Sequence, residues 1–142
     1  WTDNLSFALY MVIRTVSSMK QSHTEVKILP QFKNDDDLEF AKQLFIKALV
    51  NYDDNQDIVD RYTRNWDVER IAFMDNLIIS IATAALMYFD SIPVKVTLDE
   101  WLDIAKYYSS PTSSTFVNGV LDKIVAELME SGKIQKSGRG LL

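Results

Sequence analysis

The chain has 142 residues, 47% of them hydrophobic and 25% charged, a mixture that supports one ordinary core and excludes a disordered polymer. It has no cysteine, which rules out a disulfide framework, a thiolate metal site and a cysteine nucleophile. Fifteen basic residues against twenty acidic ones give a net charge of −5, which excludes bulk electrostatic binding of nucleic acid and leaves only a local basic patch.

Four Gly and three Pro are too few for a fold with many tight turns, so helix is expected throughout. Asp3 or Asn4 can cap a first helix, in which Leu5, Leu9, Val12, Ile13 and Val16 recur at helical steps as far as about Met19. Residues 22–33 have no sustained period and contain Pro30, so they read as a connection. Asp35, Asp36 and Asp37 place negative charge where a helix begins, and the stripe of Leu38, Ala41, Leu44, Phe45, Ala48, Leu49 and Tyr52 continues it. Asp53 to Gln56 reads as a break before a shorter helix with Ile58, Val59 and Tyr62, reaching about Arg64. Asn65, Trp66 and Asp67 then signal the cap of a brief turn that holds Val68 and Ile71.

Asp75 opens an apolar helix with Leu77, Ile81, Ala84, Ala85 and Tyr88. Its apolar run, Leu77 to Phe89, falls short of the roughly 20 residues that cross a bilayer, so it is predicted to be the buried centre of the core. Ile92 to Val96 reads as an apolar connector stiffened by Pro93. Thr97 to Glu100 has the form of a capping box, starting a helix with Leu98, Trp101, Leu102, Ala105 and Tyr108. After Pro111, Thr112 and Ser113 a last helix carries Phe116, Val117, Val120, Leu121, Ile124, Val125 and Leu128 and closes at Ser131 and Gly132. The pattern divides into an N-terminal helix and connector (1–33), a helical domain (34–132) and a flexible basic tail (133–142).

No catalytic constellation assembles from these residues, and no metal or cofactor site is predicted. His23 is the only histidine, which leaves neither a serine triad nor a histidine metal cluster. Asp53, Asn55 and Asp57 imitate the opening of a calcium loop, but Ile58 stands where the turn needs Gly and Arg64 where it needs a bidentate Glu. The tail glycines lack the order of a phosphate loop. Two features need explaining. Gly119 lies inside the last helix, where Gly costs on the order of 1 kcal/mol relative to Ala, so either a neighbouring helix approaches closely or a ligand uses the bare backbone. Asn118 with Thr115 and Asp122 forms a polar stripe beside it. Lys95 would project from the stiff connector, as an anion-binding lysine should, although a plain surface lysine fits as well. Through residue 90 the chain carries nine basic and fourteen acidic residues, and from Ser91 six of each, so an anion site is expected in the second part.

The segments "NWDVERIAFMDNLIISIA", "DSIPVKVTLDEWLDIAKYYS" and "SSTFVNGVLDK", spanning Asn65 to Lys123, resemble the NusB family of transcription antitermination factors. The resemblance implies an all-α bundle of about six to seven helices in two packed subdomains. It implies a non-enzymatic, cytoplasmic bacterial protein without cofactor. Its partners would be the boxA element of nascent ribosomal RNA, the small-subunit ribosomal protein NusE and, indirectly, the RNA polymerase elongation complex, with no membrane. By motif position Phe116 and Asn118 would face RNA with Lys95 and Lys123 as basic contacts, and Glu69 and Asp75 would face the protein partner. Phe116 and Asn118 stand two positions apart, so one is expected in the core and the other exposed. Family members usually open with an arginine-rich helix, expected here upstream of Trp1 with residues 1–33 as an insertion. The alternatives are a NusB-like helical adaptor that binds protein only, and an accessory domain of an RNA cytosine methyltransferase.

Overall fold

The computed structural model describes residues 5–22, 32, 34–63, 72–110 and 112–141. The brief turn read at Asn65 to Asp67, together with His23, Glu69, Pro30 and Pro111, lies outside them. Six α-helices follow one another: α1 (Leu5–Ser18), α2 (Asp35–Val50), α3 (Tyr52–Thr63), α4 (Phe73–Tyr88), α5 (Val94–Tyr108) and α6 (Ser113–Glu130). A 3-10 turn, Gly138–Leu141, comes last, and no strand occurs among the described residues. The fold is all-α. It divides into two units, Trp1–Glu39 and Phe40–Leu142.

In the first unit α1 ends where the periodicity placed it, and none of its residues is buried. Asn34 caps α2: its side-chain oxygen accepts the Asp37 N–H at 2.9 Å, and Asp35 to Asp37 occupy the first turn, where carboxylates favour the helix dipole.

The second unit is built around α4. Ile78, Ile79 and Ala82 of α4 meet Ile58 and Val59 of α3, Ala105 of α5, and Val117, Val120, Leu121 and Ile124 of α6 in one buried cluster. A smaller cluster joins Leu44 of α2 to Ala84 and Ala85. Of the α2 stripe only Leu44 is buried; Phe45 and Leu49 stay exposed. The largest fully enclosed side chains of α4 are Ile79 and Leu86, and Leu77, expected at the centre, is only half-buried. Two clamps tie α3 to α6, since Arg61 pairs with Glu127 at 2.6 Å and the Tyr62 hydroxyl donates to the same carboxylate. That acceptor holds the Tyr62 phenol above its ordinary value, because a phenolate would face the Glu127 charge.

Three local readings are corrected. Asp53 to Gln56 is no break: only Asn51 separates α2 from α3, and Asp53 and Asp54 form the acidic first turn of α3. Asn55 and Asp57 are therefore helical, which removes the loop a calcium ion would need. Helix α5 starts at Val94 with Pro93 as its N-cap, three residues before the apparent capping box. Proline at a helix entrance supplies the fixed φ without forfeiting a needed N–H. Thr97 is then one turn inside, and its hydroxyl donates back to the Pro93 carbonyl at 3.2 Å. The segment from Lys133, read as a flexible tail, returns over the end of α4. Gly132, at φ 69°, closes α6 as the glycine of a Schellman turn, with Lys133 N–H on Leu128 O and Gly132 N–H on Met129 O. Beyond it Ile134 packs on the core, and Lys136 Nζ donates to the Leu86 and Phe89 carbonyls at 3.0 Å each. These carbonyls lie at the end of α4, where a cation is well placed, and the Phe89 carbonyl also accepts the Ile92 N–H at 3.2 Å; burial pushes the Lys136 amine below its ordinary value.

Leu86→Ala is expected to cost about 2 to 5 kcal/mol, read as a shift of the urea midpoint, because its side chain is enclosed on every side. Leu77→Ala is expected to cost clearly less in the same measurement. Equal losses would place Leu77 in the core instead.

Candidate nucleic-acid interface

Helix α6 is a core helix on one face and an open surface on the other. Val117, Val120, Leu121, Ile124 and Leu128 are buried at helical spacing, which turns Thr115, Gly119, Asp122 and Lys123 to water. Phe116 sits at the seam: it is half-buried and packs its ring against the core cluster. Asn118 is also half-buried, and its side-chain amide donates to the Asp122 carboxylate at 3.1 Å, one turn on. The expected division, one residue in the core and one exposed, is therefore not what the backbone gives. Both lie on the border of the exposed face.

Gly119 occupies the middle of that face, with Thr115, Phe116, Asp122 and Lys123 three and four positions away. It is exposed, and a methyl group added there would meet nothing within 4 Å. Among the described residues, close approach of a neighbouring helix, one of the two sequence readings, is thus excluded. What remains is a bare stretch of helical backbone, flanked by an aromatic ring, an amide and a lysine, at a cost in helix stability that no packing contact explains.

Lys95 is exposed and lies in the first turn of α5, about 14 residues at 1.5 Å each, roughly 20 Å of helix, from the α5–α6 connection. Neither Lys95 nor Lys123 belongs to an ion pair among the described residues. Asp75, expected on the partner-facing side, is only 4% exposed. Its carboxylate turns inward and accepts from Ser109 Oγ and, at 2.9 Å, from Ser113 Oγ. Sequence reasoning missed this hydroxyl network, although the run Ser109, Ser110, Thr112 and Ser113 around Pro111 was its visible signal. Elsewhere α2, α4 and α5 leave an open apolar groove of about 630 Å³, lined by Phe40, Phe45, Ile81, Ala85 and Trp101 among others. The described residues contain no His, Cys, Asp and Glu group able to hold a metal.

Residues 7–126, from within α1 to within α6, match the NusB family. The chain belongs to that family. Relatives share the assignment: the transcription antitermination protein NusB of Salinibacter ruber is 36% identical over 94% of this chain and 84% of its own length. That of Chloroherpeton thalassium is 36% identical over 73% of the chain, which covers 49% of the relative. The solved structure of T. maritima NusB superposes with a TM-score of 0.64 at 32% identity, over 75% of each chain. NusB proteins are non-enzymatic transcription antitermination factors.

Gly119→Ala is expected to raise stability by up to about 1 kcal/mol in urea denaturation, since Ala is the better helix former and the space is open. A loss of stability would show that the position is packed after all.

Proposed function

We propose that this member of the NusB family acts in transcription antitermination by binding boxA-type single-stranded RNA of ribosomal transcripts, together with NusE, on the exposed face of α6. The observation that carries the reading is Gly119, an exposed helix-weakening residue set among Phe116, Asn118 and Lys123. Unpaired bases are recognised by stacking on aromatic rings and by hydrogen bonds to their edges, and a bare backbone admits a nucleotide closely. Phe116 supplies the rim of a ring for stacking, and Asn118 an amide that can read a base edge. Lys123 supplies a charge for phosphate, and Lys95, farther along α5, meets a strand extending beyond the α6 face. Glu69 serves the protein partner, and the complex acts on RNA polymerase in the bacterial cytoplasm. No described helix is long and apolar enough to cross a membrane.

A protein-only adaptor draws on a different observation, the apolar groove beside Trp101, and on the acidic balance of the chain. Titration of the full chain with boxA RNA, with and without NusE, separates the two readings. Asn118→Ala is expected to weaken RNA binding by about 1 to 3 kcal/mol, the scale of one base-reading contact, with little change in thermal stability. Lys123→Ala is expected to lower the slope of log affinity against log salt by about 0.7, one single-strand phosphate contact. RNA affinity unchanged in both variants would favour the adaptor.

A further inference from the structure

A carboxylate removed from water is costly unless its oxygens accept hydrogen bonds, and Asp75 is buried with both oxygens engaged. Its partners lie 34 and 38 residues away in sequence. Ser109 is the C-cap of α5, and Ser113 is the first residue of α6. One side chain in the first turn of α4 thereby grips both sides of the corner between the next two helices.

The Asp75 carboxylate accepts from both hydroxyls, which spends the single proton of each and leaves the 3.0 Å contact between Ser109 Oγ and Ser113 Oγ without one of its own. Ser113 Oγ is then left as an acceptor, and it takes the Ser110 N–H at 3.1 Å and the Ser110 hydroxyl at 2.7 Å. Turning Ser113 round would break its bond to Asp75. Thr112 makes no side-chain capping bond and the first turn of α6 holds no acidic residue, while the Ser113 N–H on the Ser110 carbonyl, at 2.9 Å, ties the helix only to its own corner. The helix that carries Phe116 and Asn118 is therefore located at its entrance by a residue of α4.

We infer that Asp75 is a positioning residue for RNA: through Ser109 and Ser113 it sets where α6 begins, and so where Phe116 and Asn118 stand, without touching RNA or partner itself. The inference rests on the RNA-facing role of α6 proposed above. Removing the carboxylate frees the corner, and Phe116, one turn in, moves with it.

The test uses the full chain and a boxA-type RNA oligonucleotide, with circular dichroism confirming that each variant is folded at the assay temperature. Asp75→Ala is expected to weaken RNA binding by about tenfold, the scale of one lost charge-assisted hydrogen bond, with the salt slope unchanged because no phosphate contact is lost. Asp75→Asn should recover most of the affinity, since the amide oxygen accepts from one serine and the amide N–H can donate to the other. Asn118→Ala should have a smaller effect in the Asp75→Ala background than in the wild type, because a displaced amide has less to lose. Ser113→Ala is the milder variant should Asp75→Ala fail to fold, and it should weaken RNA binding in the same direction with the same unchanged slope. Wild-type affinity in folded Asp75→Ala or Ser113→Ala, with Asn118→Ala still weakening binding, would overturn the positioning role and leave the RNA reading standing. Loss of NusE binding with RNA binding intact would also overturn it and make Asp75 a partner contact. No effect of either Asn118→Ala or Lys123→Ala in the wild-type background would sink the RNA reading and this inference with it.

Discussion

Nine of the sixteen residues of α4 are buried, among them Ser80 and Thr83 on faces where an amphipathic helix would meet water. Such a helix is stable only when wrapped, and α3, α5 and α6 all pack on it. Small side chains make the wrapping possible: Ala82, Ala84 and Ala85 let neighbouring backbones come close, and Thr83 returns its hydroxyl to the Ile79 carbonyl at 2.8 Å. The ends of α4 are held by other elements too. Asp75 at its start grips the α5–α6 corner, and Lys136 at its end fills the last carbonyls.

This arrangement explains how one helix can serve core and surface together. Helix α6 spends five large apolar residues on α4 and its neighbours, which fixes its roll, and the opposite face is left for recognition. Gly119 lies on that opposite face, at a position where packing asks for nothing. The acidic balance of the whole chain is no obstacle to a limited RNA contact, because Lys123 acts within a few ångströms, charges beyond about 10 Å are screened in ordinary salt, and the carboxylate on the face, Asp122, accepts from the Asn118 amide.

Much of the fold was legible in the sequence because apolar spacing is read by burial alone. The buried stripe of α6, the acidic entrance of α2 and the enclosed character of α4 all follow that rule. The misreadings share another cause: they concern groups whose partners are remote in sequence or whose chemistry fits two local structures. Thr97 to Glu100 has the residues of a capping box, yet Pro93 already starts the helix and the threonine bonds backwards. Lys133 to Leu141 is polar and short, and nothing local shows that Lys136 would find carbonyls about 50 residues away. Asp75 looked like a surface acid for the same reason, since its serines lie beyond a whole helix. At the interface, the motif phrase around Phe116 located the helix, but only the built backbone shows that Gly119 faces open space and that Phe116 and Asn118 both border it.

The central claim is that the exposed face of α6 is where RNA binds. Amide chemical-shift mapping of the isotope-labelled full chain during titration with boxA-type RNA tests it most directly. The largest changes are expected at Thr115, Phe116, Asn118, Gly119 and Lys123, with the groove around Ile81 and Trp101 unmoved. Changes confined to that groove, with the α6 amides still, would contradict the account.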